Sequence, residues 1–286
     1  MGLLNELENP SFKVTKSDKL LIDYIKSDLD NVIYKSISEI ARESELGEAT
    51  ITRFSKKAGF SGFQDFKVTL AKELSIKKQK SVISPHVAKD EGTKETATKL
   101  LNSTVDVLRS TVDNINEEDI LECRELILTA RKIYFVGIGY SGITAVDSNY
   151  KFMRIGLNTC QLTDSHTMIM MSSIMERGDL VIAISHSGTT KEILKAVEQA
   201  KSNKVKIISI TENTENKLRE LSDIKLTYVS TETVFETGSV SSKLPQIFIM
   251  DLVYTEVIKE MFNEALDKKL KTTRAIEVYR DNYSKI

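Results

Sequence analysis

Four hydroxyl residues surround a glycine at residues 185–190, where the chain reads Ser-His-Ser-Gly-Thr-Thr. The apolar run at 180–184 predicts a buried strand before this loop, and a helix is predicted directly after it. Hydroxyl groups and the backbone amides at a helix N-terminus can hold a phosphate without a basic side chain. The loop therefore predicts a phosphate cradle.

Helix capping is the alternative interpretation of these hydroxyls. Ser187 or Thr189 would then accept a hydrogen bond from the first turn of the helix that follows. A cap needs one such residue and the loop carries four, so phosphate binding is the favoured interpretation.

A glycine loop follows another predicted strand, at residues 133–142, which read Ile-Tyr-Phe-Val-Gly-Ile-Gly-Tyr-Ser-Gly. This run satisfies the GxGxxG pattern of dinucleotide sites. Such a site also needs an acidic residue about 20 positions on, at the end of the next strand. Residues 158–163 contain none, and Asp164 stands just beyond them. The pattern alone is therefore weak evidence for a nucleotide.

The cysteines and histidines are too scattered for a structural metal site. They are Cys123, Cys160, His86, His166 and His186. We expect no metal, no cofactor and a reducing compartment.

Three polar residues could each contact a ligand or lie in solvent. His166, on the predicted loop after the second strand, either contacts a ligand or is an ordinary surface residue. Glu236 either reaches a sugar ring or is solvated, whereas solvation is favoured for Glu232.

Short β-branched runs alternate with helical segments from residue 132 onward, a pattern that predicts a parallel sheet with helices on both faces. Ligand loops are then expected at the carboxyl ends of the strands. The predicted strands are Ile133–Val136, Thr159–Leu162, Leu180–Ile184, Val205–Ile210 and Ile224–Val229.

A helix-turn-helix is predicted at residues 37–54, within a helical bundle from Lys16 to about Leu74. Small Ala41 lets two helices cross closely, and Leu46 fills the corner between them. The second helix buries Ile51 and Phe54 and turns its opposite side outward, where side chains can meet bases and phosphates. These candidate DNA-binding residues are Thr50, Thr52, Arg53, Lys56 and Lys57.

Basic residues are concentrated at residues 50–80, which hold eight basic and two acidic side chains in a chain of formal net charge −1. This local excess predicts a surface that meets phosphates. Lys67 belongs to it and is a further DNA-binding candidate. A plain helical bundle with solvated lysines remains the alternative.

Two domains are expected from 286 residues, 41% of them hydrophobic. The polar stretch around Pro85 predicts the boundary between them. We expect a DNA-binding domain at 1–77, a linker at 78–95 and a ligand-binding domain at 96–286. The first residues lack a leader pattern and no apolar run reaches the roughly 18 residues that span a bilayer, so a cytoplasmic protein without membrane contact is expected.

Residues 49–67 read Ala-Thr-Ile-Thr-Arg-Phe-Ser-Lys-Lys-Ala-Gly-Phe-Ser-Gly-Phe-Gln-Asp-Phe-Lys. They resemble the signature of the N-terminal domain of the RpiR-type regulator family. Two positions depart from it. That family commonly has Gly in the turn, where this chain has Glu45, and Ser or Thr at the helix start, where this chain has Gly47. A non-glycine residue at positive φ costs of order 1 kcal/mol, and glycine is a somewhat weaker N-cap.

The loops at 137–142 and 185–190, with the Thr-Asp-Ser-His run at 163–166, resemble the SIS (sugar isomerase) domain of phosphosugar isomerases and RpiR-type regulators. The similarity covers roughly residues 130–260. It implies a flavodoxin-like parallel five-stranded sheet with helices on both faces, beside an all-α helix-turn-helix bundle.

The same resemblance implies roles for individual residues. Ser185, Ser187 and Thr190 hold the phosphate, while Ser141 and His186 lie beside the sugar. The full candidate ligand-binding set is Gly139, Ser141, His166, Ser185, His186, Ser187, Gly188, Thr190 and Glu236.

The implied function is a DNA-binding transcription regulator of carbohydrate metabolism that senses a phosphosugar. The implied assembly is a homodimer or dimer of dimers on an inverted-repeat operator. The alternative is a sugar-phosphate isomerase or lyase, which needs a base beside the carbonyl, with Glu236, His166 and His186 as the credible bases. Fold does not separate the two. The helix-turn-helix favours the regulator, and no catalysis is expected.

Overall fold

The computed structural model describes residues 3–8, 10–29, 31–33, 35–78, 87–88, 90–230 and 240–283, with the backbone alone at 5, 75–78, 240–242 and 281–283. These residues divide into two compact units. One holds the described residues up to 106 together with 240–241, and the other holds 107–230 and 242–283. The linker expected at 78–95 stays a prediction, because much of it lies outside the described residues.

The first unit is helical, which confirms the predicted bundle. Its helices are α1 (Leu3–Glu8), α2 (Lys16–Ser27), α3 (Ile37–Glu43), α4 (Glu48–Lys57) and α5 (Phe63–Lys78), followed by the first part of α6 (Thr93–Asp113). Helix α1 was not predicted. Its Leu3 and Leu7 are buried in the core of the bundle, and the carboxylate of Glu73 on α5 accepts hydrogen bonds from the amides of Leu3 and Leu4.

Capping boxes define where α2 and α3 begin. The Thr15 and Ser36 hydroxyls each accept a hydrogen bond from the amide three residues on, and the carboxylates of Asp18 and Glu39 accept from the cap amides in return. Each box satisfies two amides that the helix itself leaves unpaired.

Helices α3 and α4 form the predicted helix-turn-helix. Ile40, Ile51 and Phe54 are buried in the core of the bundle, and Ala41 and Leu46 pack against it. Both departures from the family pattern have the expected backbone consequence. Glu45 adopts φ 56° in the turn, and Gly47 starts α4 without any side-chain cap.

The second unit contains the rest of α6 and a parallel sheet with its connecting helices. Its elements are α7 (Glu117–Thr129), β1 (Lys132–Val136), α8 (Tyr140–Arg154), β2 (Thr159–Leu162), α9 (Ser165–Ile174), β3 (Asp179–Ile184), α10 (Lys191–Ser202), β4 (Lys206–Glu212), α11 (Lys217–Leu221), β5 (Ile224–Tyr228), α12 (Val240–Glu260) and α13 (Phe262–Tyr283).

The sheet has the order β2-β1-β3-β4-β5, and every neighbouring pair is parallel. Side chains alternate between two cores, one on each face. Ile133 and Phe135 enter the core formed with α7, α8 and α12, whereas Tyr134 and Val136 enter the core formed with α9, α10 and α11. The predicted five strands and two helical layers are therefore confirmed. No helix in the described ranges is both long and apolar enough to cross a bilayer.

Candidate functional site

The edge of the sheet where β1 and β3 end is a topological switch point. The chain leaves β1 toward β2 on one side, and it leaves β3 toward β4 on the other. In open parallel sheets, ligands bind in the crevice that this reversal creates. The two loops singled out in the sequence, 137–142 and 185–190, follow these two strands and therefore flank the same crevice.

The hydroxyls of the 185–190 loop pair with one another. Ser185 is 2% exposed, and its Oγ lies 3.2 Å from Thr190 Oγ1. Ser187 Oγ lies 2.9 Å from Thr189 Oγ1 and accepts a hydrogen bond from the Thr189 amide at 3.3 Å. The loop is thus folded upon itself by its own side chains.

The capping interpretation of these hydroxyls is wrong. Helix α10 begins after Thr190, and no side chain caps its first turn. Ser187 bonds the Thr189 amide, which precedes the helix. The first amides of α10 therefore have no side-chain cap, and uncapped amides at a helix N-terminus favour a bound anion.

Gly188 allows a buried asparagine to support this loop. The residue adopts φ 61°, and a Cβ there would lie 2.0 Å from Asn216 Oδ1. Asn216 is 2% exposed, accepts from the Arg219 amide at 3.0 Å and donates to the Thr214 carbonyl at 2.9 Å. The Leu218 amide in turn donates to the Gly188 carbonyl at 3.0 Å. Only glycine fits this position.

The 137–142 loop brings a second helix N-terminus to the crevice. A Cβ at Gly137 would lie 2.5 Å from the Ser141 carbonyl oxygen, so glycine lets the strand approach α8 closely. Gly139 is the N-cap of α8 with φ 61° and ψ −129°, and no side chain caps this helix either. Ser141 follows in the first turn and is 7% exposed.

A line of polar contacts joins the two loops behind the crevice. His186 Nδ1 lies 2.9 Å from Tyr228 Oη, and Gln246 Nε2 donates to that oxygen at 2.7 Å. Gln246 Nε2 also donates to Ser141 Oγ at 3.4 Å. On the solvent side, His186 Nε2 lies 3.7 Å from a carboxylate oxygen of Glu212. The structure therefore connects the two candidates assigned to the sugar, His186 and Ser141.

The run after β2 contributes a cap and an exposed histidine. Asp164 accepts a hydrogen bond from the Thr167 amide at 2.9 Å as the N-cap of α9. The bonds from Thr167 lower the pKa of its carboxyl. This carboxylate therefore caps a helix. It does not support a nucleotide site. His166 is exposed at the start of α9. Glu232 and Glu236 lie outside the described residues.

Several residues near the crevice were missed from the sequence. Glu212 and Tyr228 end β4 and β5, so the rule that ligands bind at strand ends pointed to them. Gln246 is a polar residue in the apolar run at 244–250, which signals a buried hydrogen bond. Lys243 lies one turn before Gln246, with its Nζ 5.1 Å from the ring centroid of Tyr140 at the start of α8.

In the first unit, the outward side of α4 carries the predicted DNA-binding face. Arg53 and Lys56 are exposed, and Thr50 and Thr52 are half-buried. Arg53 Nη2 donates to Thr50 Oγ1 at 3.3 Å. The guanidinium is thus oriented from within its own helix while remaining in solvent.

The other two basic candidates are engaged in the bundle. Lys57 Nζ lies 2.7 Å from Asp18 Oδ2, and its side chain is 41% exposed. Burial raises the pKa of the Asp18 carboxyl, but hydrogen bonds from Lys57 and Thr15 outweigh it, so the pKa lies below its ordinary value. Lys67 Nζ donates to the Lys35 carbonyl at 2.7 Å. Both lysines therefore have a structural role in addition to any contact with DNA.

No group of three or more metal-ligating side chains occurs within the described part of the chain.

Two family descriptions match the two parts of the chain. A helix-turn-helix domain of the rpiR family matches residues 1–77, and a SIS domain matches residues 126–256.

Relatives match over nearly the full length. An HTH-type transcriptional regulator of Clostridium perfringens is 64% identical over 276 residues, which cover 96% of this chain and 99% of the relative. The HTH-type transcriptional regulator RpiR of Escherichia coli K12 is 26% identical and covers 98% and 94%. Among solved structures, the Vibrio vulnificus NanR protein complexed with ManNAc-6P has a TM-score of 0.84 and 26% identity, covering 97% of this chain and 99% of NanR.

A helix-turn-helix unit and a SIS-type sheet in one chain define a class of two-domain transcription regulators. The chain belongs to the RpiR-type family of these regulators. The family resemblance seen in the sequence is thereby confirmed.

Proposed function

We propose that this regulator senses a phosphorylated sugar at the crevice between the 137–142 and 185–190 loops. The observation that carries the proposal is the pair of helix N-termini, on α8 and α10, which meet at the switch point without side-chain caps. Their amides favour a dianionic phosphate. Ser185, Ser187 and Thr190 bind it, with Gly139 and Gly188 giving the backbone close approach. The complex of NanR with ManNAc-6P supports this effector class.

The sugar half of the effector lies along the polar contacts behind the crevice. Ser141 and His186 face it in our proposal, and Lys243 stands beside the start of α8. His166 and Glu236 are proposed as outer contacts. The sugar can displace the water that would otherwise fill these polar positions.

The protein binds the sugar phosphate without transforming it. His186 is held by Tyr228 on one side and faces Glu212 on the other, and the relatives are transcription regulators. Incubation with ManNAc-6P followed by analysis of the products tests this point. Conversion at an enzymatic rate would establish the isomerase or lyase alternative instead.

Operator binding is assigned to the exposed face of α4. Arg53 contacts a base edge, Lys56 and Lys57 contact phosphates, and Thr50 and Thr52 lie between them. Lys67 contributes positive charge nearby. Binding of the effector changes how the two recognition helices of a dimer are presented.

A homodimer or dimer of dimers in the cytoplasm fits this mechanism, since two linked recognition helices read an inverted repeat. Large apolar side chains are exposed on α8 and α9, as a subunit interface requires. They are Ile143, Val146, Tyr150, Met153, Ile169, Met170 and Ile174. A monomeric mass in light scattering at micromolar concentration would contradict the dimer. The boundaries 1–77, 78–95 and 96–286 are proposed for its domains, and the family match to 1–77 supports the first.

A thermal-shift titration tests the effector assignment, because a ligand that binds only the folded state raises Tm. ManNAc-6P is expected to raise Tm, and unphosphorylated ManNAc, its matched control, is expected to leave Tm unchanged. Equal shifts from both compounds would show that no phosphate is recognised.

A further inference from the structure

Two buried side chains, Tyr228 and Gln246, join the loops of the effector site from behind. Tyr228 ends β5 and is 0% exposed, and Gln246 lies on α12 and is 2% exposed. Buried polar groups make their hydrogen bonds inside the protein, and an unsatisfied one is costly. The partners of these two side chains therefore fix their position closely.

The contacts of Tyr228 fix the imidazole of His186. Tyr228 Oη lies 2.9 Å from His186 Nδ1. The two rings also stack, with centroids 6.0 Å apart and planes inclined by 27°. A hydrogen bond and a stacking contact together restrain the imidazole, whose Nε2 lies 3.7 Å from a carboxylate oxygen of Glu212.

The contacts of Gln246 reach the other loop. Its Nε2 donates to Tyr228 Oη at 2.7 Å and to Ser141 Oγ at 3.4 Å. Its Oε1 accepts from Thr144 Oγ1 at 3.2 Å. The amide thus ties the first turn of α8 to the phenol that holds His186.

None of the hydroxyls assigned to the phosphate takes part in these contacts. Ser185 pairs with Thr190, and Ser187 pairs with Thr189, within the 185–190 loop. The phosphate-binding hydroxyls and the sugar-facing side chains thus have different side-chain partners, although His186 belongs to the same loop as the hydroxyls.

We infer that Tyr228 and Gln246 are positioning residues for the sugar half of the effector. They hold His186 and Ser141 in the orientation that sugar hydroxyls or an acylamino group require, and they contribute nothing to phosphate binding. Side chains that are fixed before binding lose little freedom when the ligand arrives, which strengthens binding. This inference rests on the proposed phosphosugar function.

Two ligands separate positioning from general loosening of the fold. Calorimetric affinities of ManNAc-6P and inorganic phosphate are measured for the wild-type protein, Tyr228→Phe and Gln246→Met. Each variant is expected to bind ManNAc-6P about tenfold more weakly, because hydrogen bonds that orient the sugar-facing groups are lost. Phosphate affinity is expected to stay within about twofold of wild type, since the 185–190 loop is intact.

Tyr134→Phe is the matched control. Tyr134 is also a buried strand tyrosine, 4% exposed, but it lies in the middle of β1. Its variant should bind both ligands as the wild type does. If Tyr228→Phe does not fold, the double variant Tyr228→Phe/Gln246→Met carries the test, because it removes the buried Gln246 amide that Tyr228→Phe alone leaves without its main acceptor.

Three results would overturn the inference. Unchanged ManNAc-6P affinity in both variants shows that the sugar half needs no positioning. Equal losses for ManNAc-6P and phosphate show a structural role only. A wild-type protein that binds ManNAc-6P no more tightly than phosphate contradicts the proposed sugar recognition and the inference with it, so the two failures are distinguishable.

Discussion

The recognition helix α4 and the 185–190 loop are both assigned to phosphate groups, yet they are built from different chemistry. The face of α4 carries Arg53 and Lys56 in solvent. The loop has no lysine or arginine between 184 and 190, and its Ser185 is 2% exposed. The face of α4 offers solvated positive charge, and the loop offers backbone and hydroxyl dipoles.

The difference matches what each region has to recognise. Solvated cations attract any DNA backbone and release its counterions, so they give affinity with little discrimination, and base contacts add the specificity. Oriented amides and hydroxyls fit one anion in one place.

The largest effect is expected from removing hydroxyls in the loop. Ser185→Ala combined with Ser187→Ala should weaken effector binding on the order of a hundredfold or more, at roughly 1.5–3 kcal/mol for each hydrogen bond to a charged group. Operator binding without effector should be unchanged. A gel-shift titration measures both. Ser173→Ala, at an exposed serine of α9 outside the loop, is the control. A double variant that responds at the wild-type concentration would place the phosphate elsewhere.

On α4, replacing a residue that contacts a base should affect DNA binding differently from replacing one that contacts phosphate. Arg53→Ala should cost roughly 1–3 kcal/mol of operator affinity and relax sequence preference. Lys56→Ala should weaken all duplexes alike and flatten the dependence on salt. Binding to operator and scrambled duplexes distinguishes the two, and unchanged operator affinity in both variants would remove α4 from the interface.

Neighbouring lysines should differ in their effect on folding. Lys57→Ala leaves the buried Asp18 carboxylate without its cation and should lower the free energy of unfolding by about 1–2 kcal/mol. The exposed Lys56→Ala should change it by less than about 0.5 kcal/mol. Urea denaturation measures both free energies of unfolding. Equal decreases in the two variants would show that the Lys57–Asp18 ion pair does not stabilise the fold.

The Lys57–Asp18 pair also predicts how the free energy of unfolding changes with pH. The pKa of Asp18 is lowered in the folded protein, so the carboxylate contributes stability above its unfolded pKa of about 3.9. That contribution is lost as the pH falls through the lowered folded value. Lys57→Ala should therefore lose less stability than the wild type between pH 5 and the acid end of the titration. Parallel losses in the two proteins would exclude the pair as the cause.

The smallest effect is expected in the turn of the helix-turn-helix. Glu45→Gly relieves a residue held at φ 56° and should gain about 0.5–1 kcal/mol, once the larger freedom of glycine in the unfolded chain is subtracted. Lys204→Gly, at φ 62° in the second unit, is the matched variant. Destabilisation by Glu45→Gly would show that the side chain makes a compensating contact.

The sequence predicted the strands of the sheet well, because β-branched runs between helical segments leave few alternatives. The family resemblance marked Glu45 and Gly47 as departures from its pattern, and backbone preferences then predicted the positive φ at Glu45 and the weak cap at Gly47. Helix α1 was missed because six residues carry too little periodicity. Tyr228 and Gln246 were missed because their partners are distant in sequence. The hydroxyls at 185–190 suggested a cap or a cradle, and only the position where α10 begins rejects the cap.

The salt dependence of operator and effector affinity distinguishes binding by solvated cations from binding by neutral donors. Operator and ManNAc-6P affinities are measured for the same preparation between 50 and 200 mM KCl. Operator affinity is expected to fall by about tenfold or more as counterion release weakens. ManNAc-6P affinity is expected to change less than about threefold, because neutral donors in a partly enclosed loop are little screened. Equal decreases in the two affinities would show that cationic side chains bind the effector phosphate, which contradicts binding by the amides and hydroxyls of the 185–190 loop.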